Sequence, residues 1–93
     1  MRPKKGRCIR FNPHVTYFKP RGIPLRSLKE VELKHDEIEA IRLKNVKKLD
    51  QHACAKKMNI SQSTFQRILS SANKKIAEAL IKGKAIRIEN NVI

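Results

Sequence analysis

Apolar residues recur at intervals of three and four through Phe65, Ile68, Leu69, Ala72, Ile76, Ala79 and Leu80, one stripe along a helix of roughly 20 residues that ends before Gly83. Ser61 precedes it as an N-cap. A shorter helix is predicted from Gln51 to Met58, with Asp50 as its cap and Ala53, Cys54, Ala55 and Met58 as its apolar residues. From Asp36 the pattern predicts another helix. Asp36 and Glu39 have capping-box spacing, acids crowd the start, Arg42, Lys44, Lys47 and Lys48 crowd the end, and Ile38, Ile41 and Leu43 supply a buried side.

Outside the helices the period shortens to two. Residues 8–11 (CIRF) and 15–18 (VTYF), the KEVEL segment around Val31 and Leu33, and KAIRIE beyond Gly83 each predict a short strand. The terminal strand needs a partner, an N-terminal strand of the same chain or of a second subunit. Between the first strands, KPRGIP is loop, punctuated by Pro20, Gly22 and Pro24. The expected architecture is mainly α, a three-helix core with short N- and C-terminal β-strands: a basic flexible arm over 1–7, then one domain over 8–93.

The two helices on either side of residue 59 meet the requirements of a helix-turn-helix at about 50–82. Such a motif needs a small residue where the backbones approach, a turn residue that tolerates positive φ, and apolar side chains that lock the pair. Ala55 is the small residue, Asn59 stands in the turn, and Cys54, Met58, Ile60, Phe65 and Ile68 form the lock. The first exposed positions of the second helix are then Gln62, Ser63, Gln66 and Arg67. Gln pairs bidentately with adenine and Arg with guanine, so these four are the candidate base readers. Ser61 and Thr64 at the helix start are candidate phosphate contacts. The same outward polar face also arises on any amphipathic core helix.

Charge moves the balance. The 93 residues carry 22 Lys plus Arg against 8 Asp plus Glu, a formal net charge of +14. It is uneven: +9 over residues 1–29, −1 over 30–50 and +6 over 51–93. Such an excess attracts polyanions, with nucleic acid ahead of an anionic membrane surface. Lys74 and Lys75 behind the reading helix, and Arg2, Lys4, Lys5 and Arg7 in the arm, are candidate phosphate contacts that set affinity without setting sequence. The arm is also suited to a minor groove.

The stretches RPKKGR, VTYFKPRGIPL, DEIEAIRL, AKKMNISQSTFQRIL and KIAEALIKGKAIRIE together resemble domain of unknown function family 134, small prokaryotic proteins described as predicted DNA-binding proteins. The resemblance covers nearly the whole chain. It implies a helical part like the fourth region of sigma-seventy type factors, hence a DNA-binding module. The chain departs from the family pattern at Gly6 and Arg10, where relatives carry cysteines, and at Lys48 and Asn59, where they usually carry glycine.

Other chemistry finds little footing. Cys8, His14, His35, His52 and Cys54 are scattered, and His52 and Cys54, two apart on a helix, point to different faces, so no metal site is predicted. Cys54 reads as a small core residue, and two unpaired thiols suit a reducing compartment. No Gly-rich phosphate loop or catalytic triad occurs, so neither an enzyme nor a cofactor is expected, and no small-molecule effector is evident. Phe11, Tyr17 and Phe18 beside Lys19 and Arg21 resemble stacking platforms for single strands, but core packing is the favoured reading. No apolar run is long enough to span a membrane and no secretion signal precedes the domain, which predicts a cytoplasmic protein. The expected function is sequence-specific duplex DNA binding in transcription regulation, by a homodimer. The alternatives are an RNA-binding or ribosome-associated protein and an interaction module that docks on the transcription machinery.

Overall fold

A computed structural model describes residues 15–89. The predicted strand at residues 8–11 and the arm residues Arg2, Lys4, Lys5 and Arg7 lie outside the described residues. The chain is mainly helical with a small three-stranded sheet, in the order β1 (Tyr17–Phe18), β2 (Glu30–Leu33), α1 (His35–Ile41), α2 (Gln51–Met58), α3 (Gln62–Lys82) and β3 (Ala85–Ile88). A 3-10 turn at Leu25–Ser27 follows the KPRGIP loop, in which Gly22 takes φ 84°.

The sheet joins the two ends of the described chain. β3 lies between β1, antiparallel with Tyr17 opposite Arg87, and β2, parallel with Val31 opposite Ile86. The partner that the terminal strand needs is therefore found in the same chain. A second subunit is not needed to complete the terminal strand.

Both helix caps of the α2–α3 pair form as the sequence predicts. The Asp50 carboxylate accepts from the N–H of Ala53 at 2.8 Å, and the Ser61 hydroxyl accepts from the N–H of Thr64 at 3.2 Å. Asn59 ends α2 in the left-handed region, φ 59° and ψ 46°, and Gly83 ends α3 at φ 68°. The N–H of Ile60 then reaches back to the carbonyl of Ala55 at 3.0 Å, which closes the turn.

Around that turn Cys54, Ala55, Met58 and Phe65 are buried with Ala40 and Leu43, and Leu49, Ile60, Ile68 and Leu69 pack against them. Ala55 is 2% exposed at the elbow, a small residue where the sequence predicts one. The Cys54 thiol donates to the carbonyl of Leu49, and burial pushes its pKa up. Cys54 is thus a core residue.

Four expectations are corrected. Helix α1 is capped by Lys34, not Asp36: Glu37, in the third helical position, accepts from the N–H of Lys34 at 2.8 Å. Asp36 and Glu37 do stand in its first turn and, with Glu39, are buried, while Ile38 and Ile41, expected on the buried side, are only half-buried. The end of this helix widens into a π-helical segment, Arg42–Val46, followed by Lys48 at φ 62°. At the far end of α3, Leu80 is 74% exposed although its period matches the core stripe, because the buried line there is carried by Ala79 and Leu80 lies round the helix from it. Phe18, expected in the core, is 52% exposed, and Tyr17 is half-buried with its hydroxyl donating to Glu30.

Candidate nucleic-acid interface

Helix α3 buries Phe65, Ala72 and Ala79 along one side, spaced by seven. The opposite side must face water, and there Ser63, Arg67, Ser70 and Lys74 follow one another at spacings of three and four, all exposed. Gln62 and Gln66 flank this row, also exposed. All four predicted base readers, Gln62, Ser63, Gln66 and Arg67, therefore lie free of the core on the first two turns of one helix.

At the helix start, the cap determines which groups remain available. The Ser61 hydroxyl accepts from Thr64 N–H and donates to Thr64 Oγ1 at 2.9 Å, with Ser63 Oγ 3.2 Å away. Its proton is already used, so an incoming phosphate meets the hydroxyls of Ser63 and Thr64 ahead of that of Ser61. Thr64 is half-buried, Ser63 fully exposed.

Two contacts tie α2 to this start. Gln51 donates its amide to the Gln62 carbonyl at 3.5 Å, and the Gln62 amide nitrogen lies 3.0 Å from Nδ1 of His52. His52, Lys56, Asn59, Ser61 and Gln62 line a cleft of about 530 Å³ at the elbow. His52 and Lys56 carry no sequence signal for this role, since only the elbow geometry brings them beside α3.

Lys75 is corrected as a phosphate contact. Its ammonium donates to the Glu32 carbonyl at 2.7 Å and to the Glu37 carboxylate at 2.9 Å, which also accepts from Ser71 Oγ at 2.6 Å. Burial disfavours the Glu37 charge, but the Lys34 N–H, the Ser71 hydroxyl and the Lys75 ammonium outweigh it and hold the carboxyl below its usual pKa. Lys75 thus clamps α3 to α1 and β2. Lys74, one residue earlier, points to solvent with no ion-pair partner among the described residues.

The remaining electrostatics separate into two classes. All eight acidic residues fall among the described residues, and each has an interaction within the fold. Glu30 and Glu32 hold Arg87, Glu39 holds Arg42 through two hydrogen bonds, and Glu78 holds Lys84. Arg67, Lys74, Lys56 and Lys57 have no such partner among the described residues. The charge left over for a ligand is cationic, and part of it lies on α2 and the outer face of α3.

Among the described residues no helix is long and apolar enough to cross a membrane. Comparison with known proteins finds a family model described as protein of unknown function DUF134 matching residues 1–91. The chain is 54% identical over 88 residues to a UPF0251 protein of Halothermothrix orenii and 57% identical over 88 residues to one of Caldanaerobacter subterraneus subsp. tengcongensis, in each case over 95% of this chain. A UPF0251 protein of Desulforudis audaxviator is 54% identical over 88 residues. The chain spans 65%, 75% and 58% of the lengths of these relatives, respectively. No solved structure matches.

Proposed function

The chain belongs to the DUF134 family, and from its own residues we propose that it is a sequence-specific duplex DNA-binding protein that regulates transcription through a helix-turn-helix. The observation that carries this reading is the outward face of α3. Gln62, Ser63, Gln66 and Arg67 stand exposed on its first turns, behind a positive-φ turn and a filled N-cap, with unpaired cations on either side.

In this reading α3 lies in the major groove. Gln62 and Gln66 meet adenine edges, Arg67 meets guanine O6 and N7, and Ser63 contacts either base. Lys74 and Thr64 approach the backbone, joined by Lys56 and Lys57 of α2 and by the arm residues Arg2, Lys4, Lys5 and Arg7. Lys75 and the Ser61 hydroxyl support the frame. A homodimer on two half-sites remains part of the proposal for symmetry reasons alone. No cofactor or metal enters it.

Docking on the transcription machinery is the second reading, and Leu80 and Ile81 favour it, 74% and 84% exposed side by side on the last turn of α3. Competition binding tests the duplex reading against RNA binding. A labelled duplex pool held by the full chain at fixed salt is challenged with unlabelled duplex or folded RNA. Displacement by duplex at lower concentration supports the proposal; displacement by RNA ahead of every duplex removes it in favour of an RNA-binding protein.

A further inference from the structure

We propose that His52 is a positioning residue for base reading: it holds the Gln62 amide in one orientation and so determines which base pair the start of α3 prefers. The inference rests on the duplex-reading proposal above and adds to it a residue on α2 that contacts no base.

His52 is the second residue of α2 and Gln62 the first of α3, and the elbow brings their side chains to 3.0 Å. In this arrangement the Gln62 amide nitrogen donates to Nδ1 of His52, which requires the tautomer that carries the ring proton on Nε2. In that tautomer the bond holds the Gln62 amide one way round. With one amide hydrogen held by His52, the second hydrogen and Oε1 remain free, the donor and acceptor that pair with N7 and N6 of adenine.

The anchor beneath the amide is equally fixed. Gln51 donates to the Gln62 carbonyl and Ser61 caps the helix at the adjoining residue, so the Gln62 backbone is held from both sides. An untethered glutamine must be ordered on binding and can present its amide either way round, which weakens discrimination between bases. Lys56 lines the same cleft and is the titratable side chain beside the pair there; its ammonium, a donor, cannot replace the Nδ1 acceptor.

The test uses the full chain and a duplex selected by it, with all four base pairs placed in turn at each position of the site. In His52→Ala, the ratio of best to worst base pair falls at one position by about fivefold or more, while the other positions and the salt slope keep their wild-type values. His52→Asn restores the preference, because its side-chain oxygen accepts from the Gln62 amide. Gln62→Ala loses preference at that same position, and the double variant His52→Ala, Gln62→Ala loses no more. His52 is exposed, so these chains fold, and thermal melts verify it. Unchanged preferences in His52→Ala, equal weakening of every duplex, or failure of His52→Asn to restore would each overturn the role of His52 and leave the reading face standing. A wild-type chain that prefers no duplex would overturn the reading face, and the role of His52 with it.

Discussion

The sheet and the outer face of α3 are both polar surfaces rich in charge, yet they are built on opposite plans. On the sheet, Arg87 is held by Glu30 and Glu32 from the neighbouring strand, and Tyr17 completes the group by donating to Glu30. The Tyr17 hydrogen bond and the Arg87 guanidinium lower the Glu30 pKa, and Glu30 in turn raises that of Tyr17. On α3, Arg67 and Lys74 stand on one face with no ion-pair partner among the described residues, Glu78 one turn beyond Lys74 being held by Lys84. A surface that neutralises itself offers a polyanion nothing further. One that leaves its cations unpaired accepts self-repulsion, which a bound phosphate chain relieves.

Adjacent lysines on α3 allow the contrast to be broken at one point. Lys75→Ala removes the clamp between α1, β2 and α3 and leaves Glu37 with fewer donors, and is expected to cost about 2–3 kcal/mol of folding stability by chemical denaturation. Lys74→Ala leaves stability within about 0.5 kcal/mol and weakens all duplexes alike, with the slope of log affinity against log salt reduced by about 0.9. Equal stability losses in the two variants would erase the distinction between clamp and contact.

A second comparison places one arginine on each surface. Arg67→Ala relaxes base preference at one position, at a cost of about 1–3 kcal/mol in discrimination. Arg87→Ala breaks exposed, solvent-screened pairs, so it leaves both stability and the preference close to wild type. Selection by the two variants from one duplex pool checks both outcomes.

The acid limb of stability tests the clamp from another side. The Glu37 pKa is lowered in the folded chain, so its contribution is complete above the ordinary carboxyl value of 4.5 and is lost as pH falls through the lowered one. Thermal melts across that interval should show a shallower loss in Lys75→Ala than in the wild type. Away from both surfaces, Lys48→Gly relieves a non-glycine residue at φ 62° and should stabilise the chain by about 1 kcal/mol.

What sequence made legible was local. Asp50, Asn59, Ser61 and Gly83 each act within a few residues through a cap or a left-handed turn, and all four stand where the pattern predicts them. Lys75 was misread because its partners, Glu32 and Glu37, lie 43 and 38 residues away and meet it only after α1 and β2 pack on α3. The same packing turned Asp36, Glu37 and Glu39 inward, so acids that looked like a dipole-compensating helix start proved to be buried. Leu80 shows the converse: spacings of three and four admit a residue to the stripe, but packing decides how wide the covered strip is, and Ala79 is buried where Leu80 is not. His52 had no signal, because a contact across an elbow depends on the angle between helices.

The most direct test of the central claim is selection of bound duplexes from a random pool by the wild-type chain and by Arg67→Ala, with the bound sequences read out. The account predicts that the wild type enriches a defined motif and that Arg67→Ala retains it except at one position, where guanine is no longer preferred. Recovery of unenriched random sequence by the wild type, or of identical motifs by both chains, would contradict it.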